Sequence, residues 1–342
     1  MTGQPGPPTK PGPPTKPGPP TKPGPPTKPG PPASRATPAK LAAYLAALAA
    51  LALLGGCGTS HRILPPQTVA SPRVHLSDPP SHIAVIVMEN EEYGGIVGSS
   101  SAPYINSLAR RYALARSAYA IAHPSLPNYL ALTGGSTFGI TSDCTDCSVP
   151  GSGVAGQLAA RHVSWRAYME DLPHPCFTGS SNGDYAKKHD PFVYFRALVA
   201  DPAQCANVVP LSTLAASERS HSLPRFIWIT PNLCHDMHDC DTATGDRFLR
   251  SLVPSLLAAL GPRGLLILTW DEGSSDDGCC GRASGGHIAT ILAGGLARPH
   301  SSMAKPVDHY SVLQLVEDLL DLPRLDGARC ACTPSLRPLL RG

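Results

Sequence analysis

The sequence predicts a single doubly wound α/β domain, with a mostly parallel central sheet and helices on both faces. Three observations predict it. First, "HIAVIVMEN" (82–90), "RFIWITPN" (225–232) and "LLILTWDEG" (265–273) are near-continuous apolar runs. Such runs suit strands of a parallel sheet covered on both faces. Second, helical patterns alternate with them, which is the signature of βα units. Third, each run ends in polar residues, and in such sheets the ligand site lies beyond the carboxyl ends of the strands.

The chain opens with segments that precede this domain. "PGPPTK" repeats four times from Pro5 to Lys28. The glycines recur every six residues, which excludes a collagen helix and predicts an extended, solvated tail over residues 1–40. Residues 41–57 then read as a signal h-region ending in Leu54-Gly55-Gly56-Cys57. The apolar stretch is short for a membrane span, and its end resembles a bacterial lipobox with Cys57 as the lipidated residue. A lipid-anchored or secreted, extracytoplasmic protein is expected, attached to the membrane through Cys57 if the anchor is retained. Residues 58–80 read as a linker, 81–325 as the catalytic domain and 326–342 as a C-terminal tail with a cysteine pair.

Charge and cysteine usage agree with export. Six of the 28 Lys and Arg lie in residues 1–56, which hold no acidic residue; the other 22, against 25 acidic residues, leave a mature chain of net −3. No nucleic-acid signature is present, and a monomer is expected. Apart from Cys57, ten cysteines remain, an even number that outside the cytoplasm reads as a disulfide framework. The "CTDC" spacing (Cys144, Cys147) also admits zinc, but no second half-site accompanies it. Adjacent Cys279 and Cys280 are expected to bond to other cysteines and to rigidify the "SSDDGCCG" segment (274–281) at the mouth of the site.

Within the domain, helical patterns cover 102–113, 244–260 and 310–322, and further strands are expected at 164–170 and 287–294. In "AHPSLPNYLALTGG" (122–135) a helix is expected to begin near Leu126 to Asn128 and to end at Gly134-Gly135. Ser125 then stands where backbone N–H groups favour an anion.

The strand ends carry Glu89-Asn90, Asn232 running into "LCHDMHDC", and Asp271-Glu272. Hard oxygen donors with a few imidazoles suit a divalent cation, which would favour the Ser125 alkoxide. That combination points to phosphoryl transfer through a phosphoserine. Asn128 is placed to donate to a phosphoryl oxygen or to cap the helix. In "HDMHD" (235–239), His238 is the preferred imidazole, for proton transfer to the leaving oxygen or for metal.

Together, "VMEN", "HPSLPNYLALTGG", "YAKKHDPF", "PNLCHDMHDC" and "TWDEG" resemble the bacterial phosphoesterase family of the alkaline phosphatase superfamily. That family includes phospholipases C and acid phosphatases, and the similarity is closest to small secreted acid phosphatases acting on phosphatidylinositol 3-phosphate. The resemblance implies Ser125 as nucleophile, with Glu89, Asn90, Asp271 and Glu272 holding metal. It places His238 in the "DMHD" segment with Asp236 and Asp239 as further candidate ligands, Lys188 and His189 facing the phosphate, and His287 as another candidate, at a position where superfamily members often carry a ligand. The Glu-Asn and Asp-Glu pairs depart from the two-zinc pattern and leave one or two ions open. The expected activity is a metal-dependent phosphomonoesterase, with a phospholipase C-type phosphodiesterase as the alternative. A non-catalytic surface lipoprotein would have lost these residues.

Overall fold

The computed structural model describes residues 79–341. The chain divides into two units, residues 1–67 and 68–342, and the described residues all belong to the second. The Pro-rich repeats, the h-region and Cys57 lie outside the described residues.

Nine strands form the central sheet: β1 (His82–Met88), β2 (Ala113–Tyr119), β3 (Trp165–Met169), β4 (Val208–Pro210), β5 (Phe226–Thr230), β6 (Gly264–Trp270), β7 (His287–Ala293), β8 (Ser301–Met303) and β9 (Val307–Asp308). Their order is β8-β2-β7-β6-β1-β5-β3-β4, with β9 also paired to β2. Strands β6, β1, β5, β3 and β4 run parallel, and β7 is antiparallel to both neighbours. The fold class read from the sequence is therefore the one observed, an α/β fold with a mixed, mostly parallel sheet.

Successive strand side chains point to opposite faces, so a strand buried at every position must be covered on both. Every residue of β5 and β6 is buried, and every residue of β1 after His82. Five helices supply most of the cover: α1 (Pro103–Arg111), α2 (Ser125–Gly134), α3 (Gly153–Ala160), α4 (Thr242–Leu260) and α5 (His309–Leu319). Helix α1 packs with α4, while α2 packs with α3 and α5. Asp241 caps α4 and Asp308 forms a capping box with Ser311 on α5. Gly135 ends α2 with φ 73°, a left-handed turn that glycine adopts without Cβ strain.

One strand went unassigned in the sequence and two expectations are corrected. Residues 113–119, "ALARSAY", are strand β2; the run has no β-branched residue and is held extended by its pairing with β7, β8 and β9. Residues 326–341 are not a separate tail, because Leu336, Leu339 and Leu340 join the hydrophobic core and Leu340 bridges to Ala297. Cys279 and Cys280 pair with each other, because the remaining eight cysteines close local pairs: Cys144–Cys147, Cys176–Cys205, Cys234–Cys240 and Cys330–Cys332. The "CTDC" segment is thus a disulfide loop.

One buried carboxyl gives the fold a pH dependence. Glu317 on α5 is fully buried and accepts from Leu325 N, while its Oε2 and the Oε1 of neighbouring Gln157 are both buried acceptors without a donor. Burial pushes the Glu317 carboxyl up to about 8. Between the ordinary glutamate value of 4.5 and about 8, the folded state holds a proton that the unfolded state has released, so stability falls as pH rises through that window. Glu317→Gln, whose amide can donate to Gln157, is expected to flatten this dependence and to gain on the order of a few kcal/mol above pH 8. Melting temperatures of both proteins at pH 5 and pH 8.5 check it; an equal difference at the two pH values refutes it.

Candidate active site

The carboxyl ends of β1, β5 and β6 bring the polar clusters together beside the start of α2. Glu89 follows β1, Asp271 and Glu272 follow β6, and "HDMHD" lies in the loop after β5. Ser125 is the first residue of α2 and is buried. Its Oγ donates toward Glu89 Oε2 and Glu272 Oε1, each 3.2 Å away. Tyr129, one helical turn on, donates to Glu89 Oε1 at 2.5 Å.

Imidazoles approach the same carboxylate from the other side. His189 Nε2 lies 3.3 Å from Glu89 Oε1, and His189 Nδ1 lies 3.1 Å from Asp236 Oδ2. His238 Nδ1 sits 2.6 Å from Asp239 Oδ1, while Lys188 Nζ stands 2.9 Å from His238 Nε2 and donates to Asp143 Oδ2 at 3.1 Å. Ligand atoms of Glu89, His189 and His238 all fall within 4.8 Å of one another. Asp236 also accepts from His238 N at 2.8 Å, so it ties the two histidines together.

The electrostatics identify what such a site suits. Burial, and then the charges of Asp271 and Asp236, hold the Glu89 carboxyl well above the usual carboxylate range. Burial and the neighbouring Glu272 push Asp271 up to about 7. Burial, then Lys188 and His238, keep His189 neutral. Asp271 Oδ2 and His189 Nε2 are buried without a hydrogen-bond partner. Crowded carboxylates, a neutral imidazole and orphaned lone pairs form a donor set that fits a divalent cation.

Other residues named from the sequence take different places. Asn90, at φ 55°, donates its backbone N–H to Asp271 Oδ1 and lines an open cavity of about 380 Å³ with His123, Glu272, Gly273, Ser274 and Asp276. Asn128 is committed locally: its Oδ1 accepts from Ile121 N and Ala122 N, and its amide donates to Ala122 O and Pro124 O. It holds the turn before Ser125 and has no amide hydrogen left for a phosphoryl oxygen. His287 is stacked on Tyr93 and Tyr119, with Nε2 on Arg116 O, and stands outside the cluster. It does not serve as a ligand in this arrangement.

Four residues that sequence reasoning did not assign belong to the site. His123 Nδ1 pairs with Glu272, and its Nε2 lies 3.0 Å from Ser275 O. Burial works against its charged form, but the Ser275 carbonyl and Glu272 outweigh it and raise its pKa. Tyr129 reads in sequence as one more apolar helix residue. Asp143 accepts from Leu126 N at 3.0 Å and from Lys188. His309, which burial lowers to about 4, places Nε2 2.5 Å from Asp271 O and so braces the β6 end. His123 had a signal, since it stands two residues before the serine; the other three had none. The 274–281 segment lies beside the cavity, where Glu92 accepts from Ser274 N, Ser275 N and Ser275 Oγ.

Comparison with known proteins identifies the family. Residues 95–323 match the Phosphoesterase family. A phosphatidylinositol-3-phosphatase of Mycobacterium tuberculosis is 36% identical over 248 residues, covering 71% of this chain and 78% of that protein. A phosphate-repressible acid phosphatase of Penicillium chrysogenum is 30% identical over 240 residues, 66% of this chain and 56% of that longer protein. Among solved structures, a protein of the alkaline phosphatase superfamily from Vibrio parahaemolyticus superposes with a TM-score of 0.51 at 11% identity, covering 74% of this chain and 70% of that one. At that identity the likeness concerns the fold. With its motifs gathered at one sheet edge, the chain belongs to the Phosphoesterase family and is a phosphoric ester hydrolase of the acid phosphatase type.

Proposed function

We propose that the protein is a metal-dependent phosphomonoesterase that works through a phosphoserine at Ser125. The observation that carries this is the Ser125 hydroxyl at the first turn of α2, shared between Glu89 and Glu272. Glu89, Asn90, Asp271 and Glu272 would hold the cation, with His189 and His238 offering further donors around Glu89. When bound, the cation supplies positive charge that favours the serine alkoxide and the phosphoryl oxygens.

The chain's own groups do the rest. Glu89 and Glu272 take the serine hydrogen bond from two sides and orient Oγ. Lys188 faces the phosphoryl group, and Asp236 and Asp239 fix the rings of His189 and His238. Ser125 Oγ passes its proton to Glu272 as it attacks phosphorus, the ester P–O bond breaks, and the departing oxygen takes a proton from His123 at the cavity wall, which its pairing with Glu272 restores. Water then cleaves the phosphoserine, releasing phosphate and restoring the hydroxyl. His238 Nε2 faces the Lys188 ammonium, which suits a ligand or a phosphate contact better than the acid. His123→Gln is expected to slow alkyl phosphates about 10²-fold or more and p-nitrophenyl phosphate far less, because a good leaving group needs no proton. Equal losses on both substrates would remove His123 from that role.

Phosphoinositides are the proposed substrate class, on the strength of the mycobacterial relative's name. Purified protein assayed on p-nitrophenyl phosphate, phosphatidylinositol 3-phosphate and phosphatidylcholine tests the reading. Phosphate release from the first two supports it, whereas headgroup release from phosphatidylcholine without monoester turnover would replace it with the phosphodiesterase. Five disulfides fit an oxidising, extracytoplasmic compartment, and anchoring through Cys57 is proposed with it. Loss of membrane association in Cys57→Ala checks the anchor.

A further inference from the structure

We propose that Asp143 is an internal stand-in for the substrate's phosphate: its carboxylate rests on the phosphate-binding donors and swings away when a phosphoryl group enters. The inference rests on the phosphatase reading and adds to it a residue that sets affinity for phosphate. Asp143 Oδ1 accepts from Leu126 N, in the first turn of the helix that Ser125 begins, and Oδ2 accepts from Lys188 Nζ. A backbone N–H at a helix start and an ammonium group are the donors that a phosphoryl oxygen would seek. One carboxylate holds both.

The surroundings argue that this contact is exchangeable. Asp143 is half-buried, and both of its carboxylate oxygens are spent on the Leu126 N–H and the Lys188 ammonium. Lys188 is its only cationic partner among the described residues. The chain after it is pinned: Cys144 pairs with Cys147, Tyr194 Oη donates to Cys144 O, and Lys187 Nζ donates to Thr145 O. Residues 141–143, by contrast, make no backbone–backbone hydrogen bond among the described residues, and Thr141 and Ser142 are exposed. The segment is tied down by the Asp143 side chain and can swing about Cys144 once that side chain is displaced. A phosphoryl dianion, with more charge and three free oxygens, competes for the same donors.

Such a placeholder weakens ground-state binding by the fraction of molecules whose donors are occupied, and it weakens inorganic phosphate likewise. Asp143→Asn keeps the shape and an acceptor for Leu126 N but removes the charge. Inorganic phosphate is therefore expected to bind this variant about fivefold tighter, both as a competitive inhibitor and by calorimetry, with KM for p-nitrophenyl phosphate falling in step. If Asp143 instead only aims Lys188, both constants rise; if it lies off the phosphate site, neither moves. Either result overturns the proposal.

A second measurement needs no variant. Hydrogen exchange of residues 141–147 in the wild-type full chain should quicken when phosphate saturates the site, because the Asp143 anchor is released. Slower or unchanged exchange also overturns the inference. A wild-type protein that turns over no phosphate ester would refute the phosphatase reading. Turnover without tighter phosphate binding in Asp143→Asn would refute only the placeholder.

Discussion

Ser125→Ala is expected to lower turnover of p-nitrophenyl phosphate by about 10³-fold or more while leaving the melting temperature close to that of the wild type. The size follows from what is removed. Ser125 Oγ is the hydroxyl held between Glu89 and Glu272, and among the described residues no other hydroxyl takes both contacts. The fold should tolerate the change, because alanine is a good helix former and the lost group is small. Brief incubation of the wild type with labelled substrate, followed by acid quench, should leave phosphate on Ser125 and none on the variant. A variant that retains full activity would assign the nucleophile elsewhere.

Removal of the proposed divalent cation should have an effect of similar size. Glu89, Asp236, Asp271 and Glu272 are buried together at the carboxyl edge of the sheet, where the charge of Lys188 offsets only part of theirs. Without a cation, burial and mutual repulsion hold their carboxyls above the usual range. A chelator should therefore abolish activity, and a divalent ion should restore it. Glu89→Gln separates the site's function from its cost. The variant should lose turnover and its stabilisation by added metal, yet melt higher than the wild type when both are metal-free, because one buried charge is gone. A chelated wild type that keeps full activity, or a metal-free Glu89→Gln that melts lower than the metal-free wild type, would contradict this account.

Much of the site was legible because its residues stand at places that local pattern marks. An apolar run that stops at Met88 puts Glu89 at a strand end, and the run ending at Trp270 does the same for Asp271 and Glu272. Proline before and glycine after "SLPNYLALT" mark the limits of α2 and so put Ser125 at its start. Asn128 was half legible: its amide had a cap or a phosphate oxygen to choose from, and the turn at 121–124 took it. His287 opens a strand as read, but the rings of Tyr93 and Tyr119 claim it.

By itself the sequence determined the α/β class, the strands that build the carboxyl edge and the place of Ser125 at the start of a helix. Hydrophobic period and helix punctuation act over a few residues and carry that information. Tertiary structure alone decided that β2 is a strand and that β7 runs against its neighbours. It also decided that Glu89 meets Ser125 and that Ser125 meets Glu272, partners 36 and 147 residues apart. Asp143 reaching Leu126 and Lys188 is of the same kind. Such meetings depend on strand order and on where loops fold back across the sheet edge. That order is set by the packing of the whole core, which no local stretch of the chain encodes.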